Sequence, residues 1–436
     1  MKLSQIAKIT NAKAKIKEDC FINKFIIDSR DVNIGDFFVP LKGSKLDGHQ
    51  FIEDAFKKGA CGSFSSKNIN LANVLFVNDT LNALTEVARY KKNLIKTKIA
   101  ITGTAGKTTT KELLAFSLGK FYEIYFTKGN FNNQIGLPLT LANVNKNYEY
   151  GIFELGASRK GDIKYLSKIL EQDISIITNV GFGHIAGYKN FKELLMEKLS
   201  IIEPSKTVIV NEKLKNYVIN KEILTFGYSQ FVDAKVLESK LEENGTYGKI
   251  KINNKIFEIF FPFFNLKIIE NSCVVFLIFK ILGIDFNKLP EIFREFKPPK
   301  GRGNIEKLGN LSIIDDTYNA NPNSVKNAID TLNKLKGRKI LILGDMLELG
   351  EYSKEKHEEI GKFILKSNID KIYLYGEEVK HTYEILKNKK NVKLIDKVKI
   401  FEELKKLKES YFVLIKGSRS MKMEEIIEYL KGEKSP

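Results

Sequence analysis

A lysine and a threonine at the start of a helix, with glycines just ahead of them, suit the handling of phosphate. In "GTAGKTT", Gly103 and Gly106 let backbone N–H groups approach phosphate oxygens. Lys107 carries the charge that neutralises a β/γ-phosphate, and the Thr108 hydroxyl suits a magnesium ion. Thr104, Ala105 and Thr109 complete the loop. Ile101 stands where the general G-x-x-x-x-G-K-[ST] pattern has its first glycine, so a plain Gly-rich strand–helix turn is the alternative. The apolar "KIAIT" before the loop and the helical pattern from Lys107 favour phosphate.

Two further residues sit where a phosphate loop could use them. Glu154 ends the apolar run "YGIFELG", a poor place for a carboxylate in a core but a good one for a hard oxygen ligand to magnesium. His184, in "GFGHIAG", follows the run "ISIITNVG"; alone it reads as a hydrogen-bonded loop histidine, and beside Glu154 and the loop it reads as a ligand. "GNFNNQIGLPLTL" has the composition of a turn-rich loop. "IIDDTYNANPNS" ends a strand with two carboxylates before a helix, either as a turn capped by Asn323 or Ser324 or as a polar ligand surface.

The elements that must hold these residues follow from hydrophobic patterning. From Lys98, near-continuous apolar runs alternate with helical stretches, which implies a parallel sheet buried on both faces. Residues 233–264 alternate instead and read as an antiparallel hairpin beside that sheet. "REFKPPKGRGN" marks a boundary near residue 300, after which a strand–helix alternation restarts. Residues before 97 read as a small mixed unit, with paired strands in "KFIIDSRDVNIGDFFVPLKG" and a helix in "GHQFIEDAFKKGA". The expected architecture is α/β in three domains. Residues 1–96 form a small mixed α/β domain; 97–300 form a central P-loop parallel-sheet ATPase domain with a small antiparallel side hairpin; 301–436 form a Rossmann-like domain.

Composition narrows the function. The chain has 436 residues, 43% hydrophobic and 28% charged, the profile of a globular multidomain protein. No apolar run approaches the roughly 18 residues a membrane span needs, and no signal segment opens the chain, so a cytoplasmic protein is expected. Cys20, Cys61 and Cys273 are far apart and read as isolated buried thiols. The net charge of +18 comes from scattered lysine rather than from arginine clusters, which disfavours a nucleic-acid partner.

The segments "GTAGKTTTKE", "GNFNNQIGLPLTL", "FELGASRKGDI", "ITNVGFGHI", "KGRGNIE", "IIDDTYNANPNS", "ILGDMLELG" and "VLIKGSRSMKME" stand in the order seen in the Mur ligases, which the chain resembles over nearly its whole length. The resemblance implies an ATP-dependent amide ligase of peptidoglycan synthesis, joining D-Ala-D-Ala to UDP-N-acetylmuramoyl tripeptide through an acyl phosphate. It implies ATP and two Mg²⁺ ions, with Thr108 and Glu154 holding the first and Glu154 and His184 the second. Lys198 matches a lysine that family members carbamylate, although Ser200 stands where the family usually has Glu. Asn271 matches an adenine-contacting asparagine, with Lys267 in place of the usual histidine, and Arg302 and Asp316 match residues that meet ATP when the domains close. For the UDP end the resemblance points to Ser29, Arg30, Gly43, Asp47, Gly48 and His49; for the peptide ends, to Tyr318, Asn319, Asn321, Lys416, Ser418 and Arg419. A monomer is expected.

Overall fold

Unbroken apolar runs form strands covered on both faces, and this rule organises most of the chain. In the computed structural model, which describes residues 1–43 and 46–435, they assemble into three sheets. The central one has nine strands. Six are parallel, in the order Glu222–Gly227, Thr207–Asn211, Ile174–Ile177, Ile95–Thr102, Tyr148–Glu154 and Ile124–Phe126. The Ile95–Thr102 strand is central and carries the phosphate loop at its C-terminal end, with Glu154 closing the strand next to it. Neighbouring parallel strands therefore bring the loop and the carboxylate to one sheet edge.

The side hairpin is corrected to something larger. Ala234–Glu242, Gly245–Ile252 and Lys255–Phe261 form three antiparallel strands that continue the main sheet, joined to it by parallel pairing of Phe226 with Ala234. The strand Glu222–Gly227 would otherwise expose an unpaired edge, and the extension satisfies it. Behind them lies the Lys267–Ile281 helix, buried on every side from Ile268 to Phe279. Phenylalanines fill the space between: Phe261 stacks on Phe293 at 5.0 Å, and Phe257 meets Phe276 at 5.0 Å. A helix that is apolar all round belongs inside a core.

The N-terminal sheet has five short strands in the order Lys13–Ala14, Val74–Phe76, Gly62–Ser65, Phe37–Phe38 and Phe25–Ile26, the last two paired in parallel. Cys20 and Cys61 are joined in a disulfide with Cα atoms 6.4 Å apart, which corrects the expectation of isolated thiols; Cys273 is free and buried. They are 41 residues apart, and only folding of the sheet makes them neighbours. The C-terminal sheet runs Asn304–Leu308, Leu311–Asp316, Tyr411–Lys416, Arg338–Gly344, Lys371–Tyr375 and Val392–Leu394, parallel except for the first strand. After Asp316 the helix begins at Pro322. Asn321 caps it by accepting from the Ser324 amide at 2.9 Å, in place of the expected Asn323 or Ser324 cap. Proline at the first helical position costs no hydrogen bond there, which places the cap one residue before it.

Candidate active site

The phosphate loop is shaped before any ligand arrives. Gly103 takes φ +145° and Gly106 φ +81°, conformations closed to most side chains, and a Cβ on Gly103 would lie 2.1 Å from Thr178 Oγ1. The Lys107–Leu118 helix starts directly behind the loop and directs its N-terminal amides toward it. Lys107 Nζ donates to the Gly103 carbonyl at 2.8 Å, folding the side chain back over the loop. Burial pushes the Lys107 pKa down, opposed by Glu154.

A cavity of about 610 Å³ opens over this loop between the central and C-terminal sheets. Thr104 to Thr109, Glu154, His184, Asn271, Arg302 and Asp316 all line it, as do Tyr318, Asn319, Asn321, Lys416 and Arg419. Among the residues expected at the nucleotide, only Gly103 is absent from the lining. The C-terminal residues reach across: Arg302 donates to Thr108 Oγ1 at 3.1 Å, and Asn321 Nδ2 donates to the Thr104 carbonyl at 3.2 Å. The Arg302 guanidinium lies 3.9 Å over the Tyr318 ring. Lys416 donates to Asp316 Oδ2 at 2.6 Å and to the Asn319 carbonyl at 2.8 Å. Burial raises the Asp316 pKa, and Lys416 opposes that.

Of the seven buried side-chain polar atoms without a partner among the described residues, two, Glu154 Oε2 and Lys198 Nζ, belong to the expected metal set. Glu154 is 2% exposed; its Oε1 accepts from Asn132 Nδ2 at 2.8 Å, while Oε2 has no protein donor. Lys198, on the Phe191–Leu199 helix, is 0% exposed and its Nζ has no acceptor. Burial, helped by Lys107, lowers its pKa to about 7. Orphaned buried groups of this kind are costly and point to a missing ligand or modification. Among the described residues no three His, Cys, Asp or Glu side chains converge. A divalent ion here would take one or two protein oxygens and complete its shell with phosphate and water, which is the habit of magnesium.

The N-terminal candidates form a separate group, and none of them lines this cavity. Asp28 accepts from the Arg30 amide at 2.9 Å and holds its guanidinium at 2.6 Å, while Lys58 Nζ donates to the Ser29 carbonyl at 2.9 Å. His49 is spoken for on both nitrogens: Nδ1 lies 2.6 Å from Asp47 Oδ1, and Nε2 accepts from the Ser66 amide at 3.0 Å. Asp47, further held by Lys67 at 2.7 Å, has its pKa depressed well below the usual carboxylate range, by Lys67 first and then by His49. Gly43 donates to the Leu46 carbonyl at 2.9 Å, and a Cβ on Gly48 would crowd Leu41 at 2.8 Å. Ser418 is buried outside the cavity lining, its Oγ accepting from the Leu347 amide at 2.8 Å.

Several residues that shape the site carry no obvious signal in the sequence. Asn179 Oδ1 accepts from Thr104 Oγ1 at 2.8 Å and from the Ala105 amide at 3.0 Å, and Thr178 Oγ1 donates to the Ala105 carbonyl at 2.7 Å. Asn132 orients Glu154. Lys267 pairs with the buried Glu270 beside Asn271. The asparagine-rich "GNFNNQIG" supplied a hint that composition alone could not turn into a contact. Asn179→Ala removes the acceptor that holds two phosphate-loop groups, so nucleotide affinity should fall roughly tenfold, about the net contribution of one buried hydrogen bond. A fluorescent-nucleotide titration checks this; unchanged affinity would show that the loop holds its shape without Asn179.

Fold and site together define a three-unit phosphate-loop enzyme whose C-terminal unit supplies residues to a nucleotide site built on the central one. Family models describe the same order: "Mur ligase family, catalytic domain" matches residues 22–105, "Mur ligase middle domain" 101–279, and "Mur ligase, glutamate ligase domain" 301–419. The UDP-N-acetylmuramoyl-tripeptide–D-alanyl-D-alanine ligase of Rickettsia prowazekii is 35% identical over 426 residues, 93% of this chain and 95% of that protein. The structure of MurF from Acinetobacter baumannii superposes with a TM-score of 0.90 at 26% identity, covering 99% of this chain and 98% of that one. MurF from Thermotoga maritima in complex with ADP gives 0.86 at 30% identity, covering 94% and 97%. The chain belongs to the Mur ligase family.

Proposed function

We propose that this protein joins D-alanyl-D-alanine to UDP-N-acetylmuramoyl tripeptide at the expense of ATP, in peptidoglycan precursor synthesis. One observation carries most of the weight: a phosphate loop, a buried carboxylate with one unpartnered oxygen and a basic C-terminal surface meet in a single cavity. Relatives at 35%, 34% and 33% identity over 93% or more of the chain bear the name of that ligase.

A carboxylate oxygen of the tripeptide attacks the γ-phosphorus of ATP, the bond to the bridging oxygen breaks, and ADP carries away the charge. The dipeptide amine then attacks the acyl carbon, loses its proton, and phosphate leaves. Little covalent work falls to the protein; it positions two anions in line and neutralises them. Lys107 faces the β/γ-phosphates, and the loop amides cradle them. Magnesium, when bound, supplies further neutralisation of phosphate charge. Thr108 and Glu154 suit one ion, and Glu154, His184 and a carbamylated Lys198 a second; carbamylation turns the orphaned amine into an anion that could meet a cation.

Asn271 is assigned to the adenine end, and Arg302 and Asp316 to ATP. Tyr318, Asn319, Asn321, Lys416 and Arg419 are assigned to the peptide ends, with Ser418 supporting them from behind. Ser29, Arg30, Gly43, Asp47, Gly48 and His49 are assigned to the uridine diphosphate end. Units 1–96, 97–300 and 301–436 divide this labour, with the last closing on the second during turnover. The protein acts as a cytoplasmic monomer; no helix among the described residues is long and apolar enough to cross a membrane.

The assay is phosphate release. Turnover that requires both UDP-N-acetylmuramoyl tripeptide and D-Ala-D-Ala is expected. Release driven by DNA or RNA, or by either substrate without the other, would overturn the reading.

A further inference from the structure

Two loops from different sheets are fastened together beside the phosphate loop. One, residues 182–187, carries His184 after the Ile174–Ile177 strand; the other, residues 345–350, carries Glu348 after the Arg338–Gly344 strand. His184 Nδ1 lies 2.5 Å from Glu348 Oε2, and the Ala186 amide donates to the Glu348 carbonyl at 3.1 Å. Both His184 and Glu348 take φ 63°. That left-handed conformation is disfavoured for side-chain-bearing residues and persists where the surroundings over-determine it, commonly at functional sites. The fastening is braced on its apolar side: the Phe182 and Tyr352 rings are 5.6 Å apart, and Lys356 Nζ lies 4.0 Å over the Phe182 ring.

An imidazole that engages a carboxylate through Nδ1 carries its proton there and keeps the Nε2 lone pair. His184 lines the cavity, whereas Glu348 does not. Glu348 thus reaches the histidine from outside the cavity lining, and it comes from the other unit.

We propose that Glu348 is a positioning residue for His184, holding the imidazole as the Nδ1–H tautomer with Nε2 left to donate to a divalent ion, and doing so only while the C-terminal unit is seated on the central one. This rests on the reading of His184 as a metal-facing residue given above. The consequence is a coupling. Seating the C-terminal unit brings Arg302 and Asp316 and also orients a ligand that belongs to the central unit, so ion binding and seating favour one another by the same factor.

The test uses the full-length protein with ADP and Mn²⁺ as a paramagnetic substitute, free Mn²⁺ being counted by electron paramagnetic resonance. A ¹⁵N-histidine spectrum runs in parallel, simplified by there being only four histidines in the chain. Glu348→Asn tolerates the left-handed backbone and is too short to reach His184. It should weaken Mn²⁺ binding roughly tenfold, the lower end of what losing such a supporting carboxylate costs. It should also move the His184 signals away from the Nδ1–H pattern. Glu348→Gln keeps an accepting oxygen and should restore both toward wild type, which a purely structural ion pair would not require. Wild-type affinity and an unchanged tautomer in Glu348→Asn overturn the proposal. His184→Asn separates the two levels. If it leaves Mn²⁺ binding unchanged, the metal-facing reading fails and the proposal with it. If it weakens binding while Glu348→Asn does not, only the positioning role is lost.

Discussion

Lys198→Met should make the metal-free protein more stable while removing its turnover. Lys198 is fully enclosed with no acceptor for its ammonium, and burial, then Lys107, lowers its pKa to about 7 against weaker support from Glu197, Asp162 and Glu154. Unfolded, the same lysine titrates near 10.4. Between those values the unfolded chain binds the proton that the folded chain rejects, so stability rises with pH across that window. The penalty is therefore full below about pH 7 and fades as pH climbs toward 10. Methionine matches the unbranched shape without the charge, and should recover on the order of 2–4 kcal/mol at pH 7. Thermal melts in CO2-free, metal-free buffer at pH 6.5 and pH 9.5 check this. A higher midpoint for the variant at pH 6.5, narrowing at pH 9.5, is expected; a lower midpoint at pH 6.5 would refute it.

The loss of turnover has a separate control. Lys198→Ala should be inactive and partly recover with short carboxylic acids, which fit the vacated space and restore an anion. Unchanged activity in Lys198→Ala would refute the carbamylated role. A residue that weakens the fold and serves the reaction follows the familiar trade between stability and activity.

Lys107→Ala should lower kcat/KM by about 10³-fold or more. In a water-poor site, one preorganised cation aimed at a phosphate undergoing transfer is worth several kcal/mol in the transition state. The side chain is poised for this: its Nζ already lies over the loop on the Gly103 carbonyl, and only that contact need be exchanged when phosphate arrives. The fold should tolerate the change, because the Lys107–Leu118 helix buries other residues, Leu113, Leu114 and Leu118 among them. Steady-state phosphate release and a thermal melt check both halves. Activity within tenfold of wild type would place the neutralising charge elsewhere, with Arg302 the next candidate because it already reaches Thr108.

The amino-acid sequence by itself determined what is local. The phosphate loop was legible because its glycines, lysine and threonine are consecutive, and a short strand–loop–helix needs no distant partner to be specified. The parallel central sheet was legible in unbroken apolar runs, and Glu154 stood out as a carboxylate ending one of them. Even locally there was a miss: the cap before Pro322 is Asn321, where Asn323 and Ser324 were equally good by composition.

Tertiary structure decided the pairings. Asn132 with Glu154, Asn179 with Thr104, Cys20 with Cys61 and Glu348 with His184 join residues from separate loops or separate sheets. No spacing rule links them, because strand order in a parallel sheet departs from chain order and crossovers can place any βα loop beside any other. The three-stranded extension was missed for a related reason, since only the unpaired edge of Glu222–Gly227 calls for it. Side-chain type is written in the chain; which side chain faces which is settled by the packing of sheets.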